Sequence, residues 1–264
     1  MKTNVIGNTV LFSKKYNCVL RDSCKNYAYY EGNQQVINIV KNNNNEISYE
    51  QIKLEPKTYT QTTSISRELY NRNPNIINSV ISQLENVLIK QLDNLILDTL
   101  NTTPNVVHIK YKKKKIKDVK SKLYNILINF NIDNIVMLYD FNTENFLINS
   151  DILYNYYETG KKIKLNELKI SVKTYNITGL NTEKNILYLY NYDSIALLSS
   201  VLYDNNIKYI KMQKKNKNSD KYEIKSTMLA DCKIINSDLV YKIVFEEIKP
   251  WWRKIFSFLN IFRK

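Results

Sequence analysis

One stretch constrains this chain more than any other: residues 73–100 keep a helical period unbroken from end to end. Apolar side chains recur at Ile76 and Ile77, Val80 and Ile81, Leu84, Val87 and Leu88, Leu92, Leu95 and Ile96, and Leu100. Steps of three and four place them on one face of a helix. Asn73 is a residue type that caps helix amides, Pro74 suits a first helical position, and no Gly or Pro interrupts the run from there to Leu100. At 1.5 Å per residue such a helix is about 40 Å long, beyond the usual length in a globular domain. Asn78, Ser82, Glu85, Asn86, Lys90, Asp93 and Asn94 fall on the opposite side, so it is neither buried all round nor a membrane span. It reads either as a rigid spine or as a long core helix.

A chain of 264 residues can bury a real core and form one elongated domain or two ordinary ones. Abundant Asn, Ile, Lys and Tyr beside four Gly and four Pro point to an AT-rich genome, so asparagine runs carry little information and part of the lysine excess has the same origin. The net charge of +14 favours anionic partners, nucleic acid or an anionic membrane surface. Cys18, Cys24 and Cys232 form no CxxC pair, and an odd number without a framework suits free thiols in a reducing compartment. The single histidine, His108, cannot build a His-based metal site; among Val106, Val107 and Ile109 it reads as a packed or surface imidazole. No apolar run has the length of a signal-peptide core or a membrane span, so a soluble protein made in a cytoplasm is expected.

The chain carries no P-loop, GxGxxG, GxSxG or HExxH, which disfavours the common nucleotide enzymes, and no cofactor is expected. Asp140 closes the apolar run 135–139, a place where metal-dependent nucleases set a ligand. Glu144, Asp151 or Asp193 would have to converge on it. Its other reading is a carboxylate in solvent or capping the next helix.

In chain order, residues 1–30 are short mixed segments with a strand-like run at 5–12. Runs 35–41 and 47–54 flank the polar 42–46, the layout of a β-hairpin with a five-residue loop. In the first run Val36, Ile37, Ile39 and Val40 offer apolar side chains to both faces. In the second, Ile47 and Tyr49 point opposite to Ile52 and Leu54, a phase shift at Gln51 that a bulge would absorb. Two strands alone are marginal in water, so the hairpin needs its own sheet or a partner to lie on. Residues 58–63 are expected extended, and the polar 64–69 forms a strand-to-helix turn.

Lys112, Lys113, Lys114, Lys115 and Lys117, with Lys110, Lys120 and Lys122, make the densest basic cluster, and Lys214, Lys215 and Lys217 a second. Each reads as a solvated face or as a phosphate-neutralising surface. Helix over 119–130, a buried strand at 135–139, helix over 142–157, strands at 163–165, 168–172 and 186–190, and helix over 194–202 describe an α/β layer. A second hairpin pairs 207–212 with 222–235, and 239–245 is a final strand. After Pro250, Trp251, Trp252, Phe256, Leu259 and Phe262 alternate with Arg253, Lys254, Arg263 and Lys264, the composition of an interfacial helix. It suits folding back onto the protein or onto a neighbouring subunit, with membrane contact left open.

The run Tyr49-Glu50-Gln51-Ile52-Lys53-Leu54-Glu55-Pro56, then Ser64-Ile65-Ser66-Arg67-Glu68-Leu69, then Asn73-Pro74 resembles the passage from hairpin to spine in the major capsid proteins of tailed bacteriophages, the Hong Kong 97-like fold. Residues 221–245 are similar to that family's closing strands. The resemblance implies an α+β fold with an N-terminal arm (1–34), an extended E-loop hairpin (35–57), a peripheral domain (58–118) with a spine helix over 73–100, and an axial α/β domain (119–205). A peripheral return hairpin (206–236), a final axial strand (237–248) and an extra basic tail (249–264) complete it.

It further implies a structural, non-enzymatic protein that self-assembles as pentamers and hexamers into an icosahedral shell around double-stranded DNA, placed in the virion and assembled in the host cytoplasm. Portal or scaffold proteins are further partners. Val36, Ile37, Ile39, Val40, Lys41, Ile47, Tyr49, Ile52 and Leu54 would then meet a neighbouring subunit and the lysine clusters would face DNA. The chain is short for the family, its arm is brief and no scaffolding segment is evident. Encapsulins share the fold, but their cargo-docking region has no match here. Lys41 near the hairpin tip is not assigned the crosslinking that some members perform. Two rivals stand beside this reading: a basic nucleic-acid-binding protein without a shell, and a metal-dependent nuclease centred on Asp140.

Overall fold

The structure is a computed structural model and describes residues 20–27, 35–43, 46–112, 116–128, 130, 134–156, 160–165, 168–180, 183–200, 209–214 and 220–248. The first elements are β1 (Lys25–Tyr27), β2 (Gln35–Asn43), β3 (Glu46–Leu54), β4 (Lys57–Ser66), α1 (Arg67–Arg72) and α2 (Ile76–Asn101). Next come β5 (Asn105–Tyr111), α3 (Lys117–Leu127), β6 (Ile135–Tyr139), α4 (Phe141–Asn149), β7 (Leu153–Tyr156), β8 (Gly160–Leu165), β9 (Leu168–Ser171), β10 (Lys173–Asn176) and β11 (Ile186–Asn191). Finally there are β12 (Ile195–Ser199), β13 (Tyr209–Lys214), β14 (Lys221–Ile234) and β15 (Val240–Glu247). The chain divides into two compact units, Met1–Thr99 with Asp193–Ile235 and Leu100–Tyr192 with Asn236–Lys264, so neither unit is continuous in sequence.

The first unit is built on β14. One edge of this long strand pairs with β4 from Lys221↔Ser66 to Ala230↔Lys57, and the other pairs with β13 and then β12, which carries β1. Tyr222, Ile224, Met228 and Ala230 alternate inward along β14, and Tyr222 and Ile224 pack with Ile65 of β4 against Ile81 and Leu84 of α2. The period-2 pattern of one strand therefore meets the 3.6-residue pattern of the helix across a single dry layer. Over 26 residues, α2 is about 39 Å long.

Several sequence expectations are corrected here. Asn73 does not open α2: its N–H donates to the Leu69 carbonyl and ends α1, which the Ser66 hydroxyl caps by accepting from the Leu69 N–H at 3.1 Å. The polar junction has enough helix formers to make its own short helix, so α2 starts three residues later. Glu85 and Asp93, expected on the wet side of α2, are 2% and 3% exposed. Asp93 accepts the Leu20 N–H at 2.9 Å, so chain from the N-terminal side covers a flank that periodicity alone leaves in water. The helix expected over 194–202 is instead a short 3-10 turn, Tyr192–Ser194, leading into β12. Every residue of β12 is buried, and an apolar run covered on both faces has no period that separates strand from helix.

The β2–β3 ladder runs without a bulge from Gln35↔Leu54 to Asn43↔Glu46. The loop is thus shorter than the five residues expected, and residues 44 and 45 lie outside the described set. No bulge is needed because β2 is apolar at positions of both parities, so that Ile52 is opposite Ile37 on the root side of the phase shift in β3 and Tyr49 is opposite Val40 beyond it. The strand-like run at 5–12 also lies outside the described residues.

The second unit has a mixed sheet in the order β10-β6-β11-β15-β5. All residues of β6 and β11 are buried, as continuous apolar strands covered on both faces should be. On one face α3 supplies Val119, Leu123, Ile126 and Leu127 and α4 supplies Leu147, packed on Met137, Tyr139, Leu187, Ile243 and Phe245. The small β7-β8-β9 sheet closes this core with Leu153, Ile163 and Ile170. The helix expected over 142–157 ends at Asn149. Asp151 takes a left-handed φ of 53° and Ile152 donates to the Leu147 carbonyl at 2.9 Å, which frees the next residues to enter β7.

Candidate assembly and nucleic-acid surfaces

The root of the β2–β3 hairpin is clamped to its own unit. Leu54 is fully buried and packs with Ile37 against Ala196 and Leu198 of β12. Asp231 of β14 accepts the Glu55 N–H at 2.7 Å and the Cys232 N–H at 2.9 Å. Lys233 donates to the Lys53 carbonyl at 2.5 Å. Burial first, and then the charges of Asp231 and Asp98, raise the nearby Tyr59 phenol above its usual value. Sequence reasoning missed Asp231 and Lys233, because their partners lie 176 and 180 positions away and no local pattern announces them.

Beyond this root, β2 and β3 form a two-stranded sheet joined to no other strand among the described residues. Nine residues per strand give a ribbon about 30 Å long. Of the residues expected to meet a neighbour, Leu54 and Ile37 belong to the unit's own packing, Ile52 is half-buried and Val36 is 49% exposed. The side chains of Ile39, Val40, Lys41, Ile47 and Tyr49 lie outside the described set, although their ladder positions are within it.

In the second unit Lys110 and Lys112 follow the exposed side of β5, and Lys117 and Lys122 are exposed on α3. His108 Nδ1 lies 2.8 Å from Glu246 Oε1 and Lys110 Nζ 3.8 Å from Glu246 Oε2. The hydrogen bond to His108, helped by the charge of Lys110, holds the Glu246 carboxyl below its usual 4.5. His108 is thus a surface imidazole. Lys113, Lys114, Lys115, Lys215 and Lys217, the side chain of Lys214, and the tail residues Trp251, Trp252, Phe256, Leu259 and Phe262 lie outside the described residues.

Asp140 takes the capping role. Its Oδ1 accepts the Thr143 N–H at 2.7 Å and its Oδ2 the Asn185 N–H at 3.2 Å. Glu144 meets the Tyr139 hydroxyl and Asn176 Nδ2, both at 3.4 Å, and Asp193 pairs with Lys25 at 3.1 Å. Among the described residues no three His, Cys, Asp or Glu side chains converge as a metal site would require. No helix among them is long and apolar enough to cross a membrane. Cys24 and Cys232 are buried thiols outside any disulfide, with Cys24 Sγ 3.5 Å from Ser23 Oγ.

No protein-family model matches this sequence, and no curated protein is similar to it in sequence. Solved structures are similar to it over nearly its whole length. The mature capsid of bacteriophage PhiM1 superposes with a TM-score of 0.60 at 9% identity, over 94% of this chain and 93% of that one. The capsid of an empty GTA particle gives 0.64 at 7% identity, over 90% and 93%. The chain has the Hong Kong 97-like capsid fold. The head structure of Helicobacter pylori bacteriophage KHP40 follows the same path, with a TM-score of 0.61 at 8% identity over 91% and 94% of the two chains. At these identities the likeness lies in the path of the backbone.

Proposed function

We propose that this chain is a major capsid-type structural protein whose copies close into an icosahedral shell around double-stranded DNA, in a virion assembled in the host cytoplasm. The observation that carries this reading is the β2–β3 ribbon, clamped at its root and paired with no other strand among the described residues, in a chain that shares its fold with phage capsids. A two-stranded ribbon gains little stability from its own ladder. A neighbouring copy supplies the missing cover, with the rungs around Val40, Tyr49 and Ile47 as the contact. The first unit serves as the peripheral domain, with α2 as its rigid spine, and the second as the axial domain around five- and six-fold axes. Closed rings of this kind use heterologous contacts, one surface meeting a different one on the next copy.

Lys112, Lys117 and the adjoining lysines offset phosphate repulsion inside the shell, a contact that is independent of base sequence and weakens with salt. Portal and scaffold proteins are the further partners of such a shell. The test is negative-stain microscopy with sedimentation of the purified protein. Uniform closed particles are expected. A compact monomer, or a small species that binds DNA and releases it as salt rises, would overturn the reading.

A further inference from the structure

Among the described residues, β4 has β14 on one edge and no strand on the other. The Arg67 N–H donates to the Asp220 carbonyl at 2.6 Å, one rung past Ser66↔Lys221. Hydrogen-bonded rungs alternate along an antiparallel pair. The odd-numbered residues of β4 therefore bond to β14, and the N–H and C=O groups of Thr58, Thr60, Thr62 and Ser64 point to the open edge. The next residue of that parity, Ser66, caps α1. From Thr58 to Ser64 this edge is about 20 Å long.

Natural sheets guard such an edge with charge, proline or a bulge. The other outer strands of the two large sheets carry lysine: Lys25 on β1, Lys211 and Lys214 on β13, Lys173 on β10 and Lys110 on β5. On β4 the ladder has no bulge, and Thr58-Tyr59-Thr60-Gln61-Thr62-Thr63-Ser64-Ile65-Ser66 holds neither charge nor proline. Threonine favours strands, so this edge is suited to strand addition.

Its neutrality and its order of residues indicate what adds. Copies of a chain with a net charge of +14 repel one another, and they approach most easily where neither brings a cation. The ribbon strands fit less well, since β2 brings Lys41 and β3 brings Glu46, Glu50 and Lys53 to an edge without counter-charges. The edge also complements itself. Set antiparallel to a copy with Gln61 on a two-fold axis, Thr58 falls opposite Ser64 and Thr60 opposite Thr62. Every open N–H then meets an open C=O, about eight bonds in all, and hydroxyl side chains face each other on the exposed side.

We propose that two copies of the chain join edge to edge through β4, across a two-fold axis at Gln61, to make one continuous sheet. The contact is isologous, unlike the heterologous contacts of a ring. It needs two copies only and stands whether or not shells close.

The test is a disulfide on the axis. In the pair, Gln61 meets its counterpart at a non-hydrogen-bonded rung, about 4.5 Å between Cα atoms and within disulfide reach, whereas the two Thr63 residues stand about 14 Å apart. In full-length protein under oxidised glutathione, Gln61→Cys should give a reducible dimer beyond that of the unsubstituted chain, and Thr63→Cys should not. Within the Gln61→Cys chain, Thr60→Lys combined with Thr62→Lys should lower the dimer yield about tenfold, because like charges then face each other across the rungs. Thr60→Glu combined with Thr62→Glu should do the same, and mixing the basic chain with the acidic one should restore the yield. Thr60 and Thr62 are exposed, and an unchanged unfolding midpoint checks that each variant is folded. No dimer from Gln61→Cys, an equal dimer from Thr63→Cys, a cross-link indifferent to charge at 60 and 62, or a mixture no better than its parts would overturn the pairing.

Discussion

The β2–β3 and β4–β14 ladders are antiparallel and nearly equal in length, nine rungs against ten, yet they are held in different ways. β14 has strand neighbours on both edges, and the inward residues of its ladder, Ile65, Tyr222 and Ile224, close on α2. The β2–β3 ribbon has a clamped root and, among the described residues, no further strand beside it. β4 writes its situation into its sequence: Thr58, Thr60, Thr62 and Ser64 are exposed at alternate positions, which leaves one face for the unit's own core. The ribbon carries apolar positions on both parities, Ile37 and Ile52 near the root and Val40, Tyr49 and Ile47 farther out. Backbone hydrogen bonds are the same in kind in the two ladders. What separates them is the source of the dry surface, internal for one and, in the shell reading, another copy for the other.

The largest expected effect comes from removing the ribbon. Ile37 and Ile52 are register partners, about 5 Å apart, so deleting residues 38–51 and bridging the gap with a short linker leaves the root in place. Particles should disappear from micrographs while the thermal midpoint of the soluble chain hardly moves; particles of normal size would show that the ribbon clasps nothing. Ile224→Ala attacks the other ladder. Ile224 is fully buried against α2, and the cavity should cost about 2–5 kcal/mol in urea unfolding; a loss below that range would mean that α2 does not depend on this layer. Asp231→Ala sharpens the contrast at the point where the ladders meet. Losing the acceptor of the Glu55 and Cys232 N–H groups should cost about 1.5 kcal/mol and raise hydrogen exchange at Glu55 with little change at Ile65.

Much of this architecture was legible in the sequence wherever one face is dry and the other wet. That condition holds for the apolar stripe of α2, for the first ten residues of β14 and for the final strand, so period alone placed them. It fails where an element is covered all round. β12 read as helix because Ile195-Ala196-Leu197-Leu198 has no wet face to give it a period. Glu85 and Asp93 read as solvent-facing because carboxylates usually are, and chain packed from elsewhere supplies Asp93 with the Leu20 N–H. At the candidate surfaces, the basic run around Lys112 and the apolar rungs of the ribbon were visible as composition. The clamp of Asp231 and Lys233 was not, since a residue's register across some 180 positions is a property of the fold.

The discontinuity of the units also has a consequence in time. A hairpin such as β2–β3 closes within about 1–10 μs once both strands are free of the ribosome. β4 cannot do likewise, because Lys57 pairs with Ala230, and at roughly 5–20 residues per second it waits about 10–35 s for that partner to be made. During translation the hairpin strands are therefore made long before Asp231 and Lys233, which anchor their root. In the shell reading, a half-made chain presents its ribbon before the sheet beneath the ribbon's root exists.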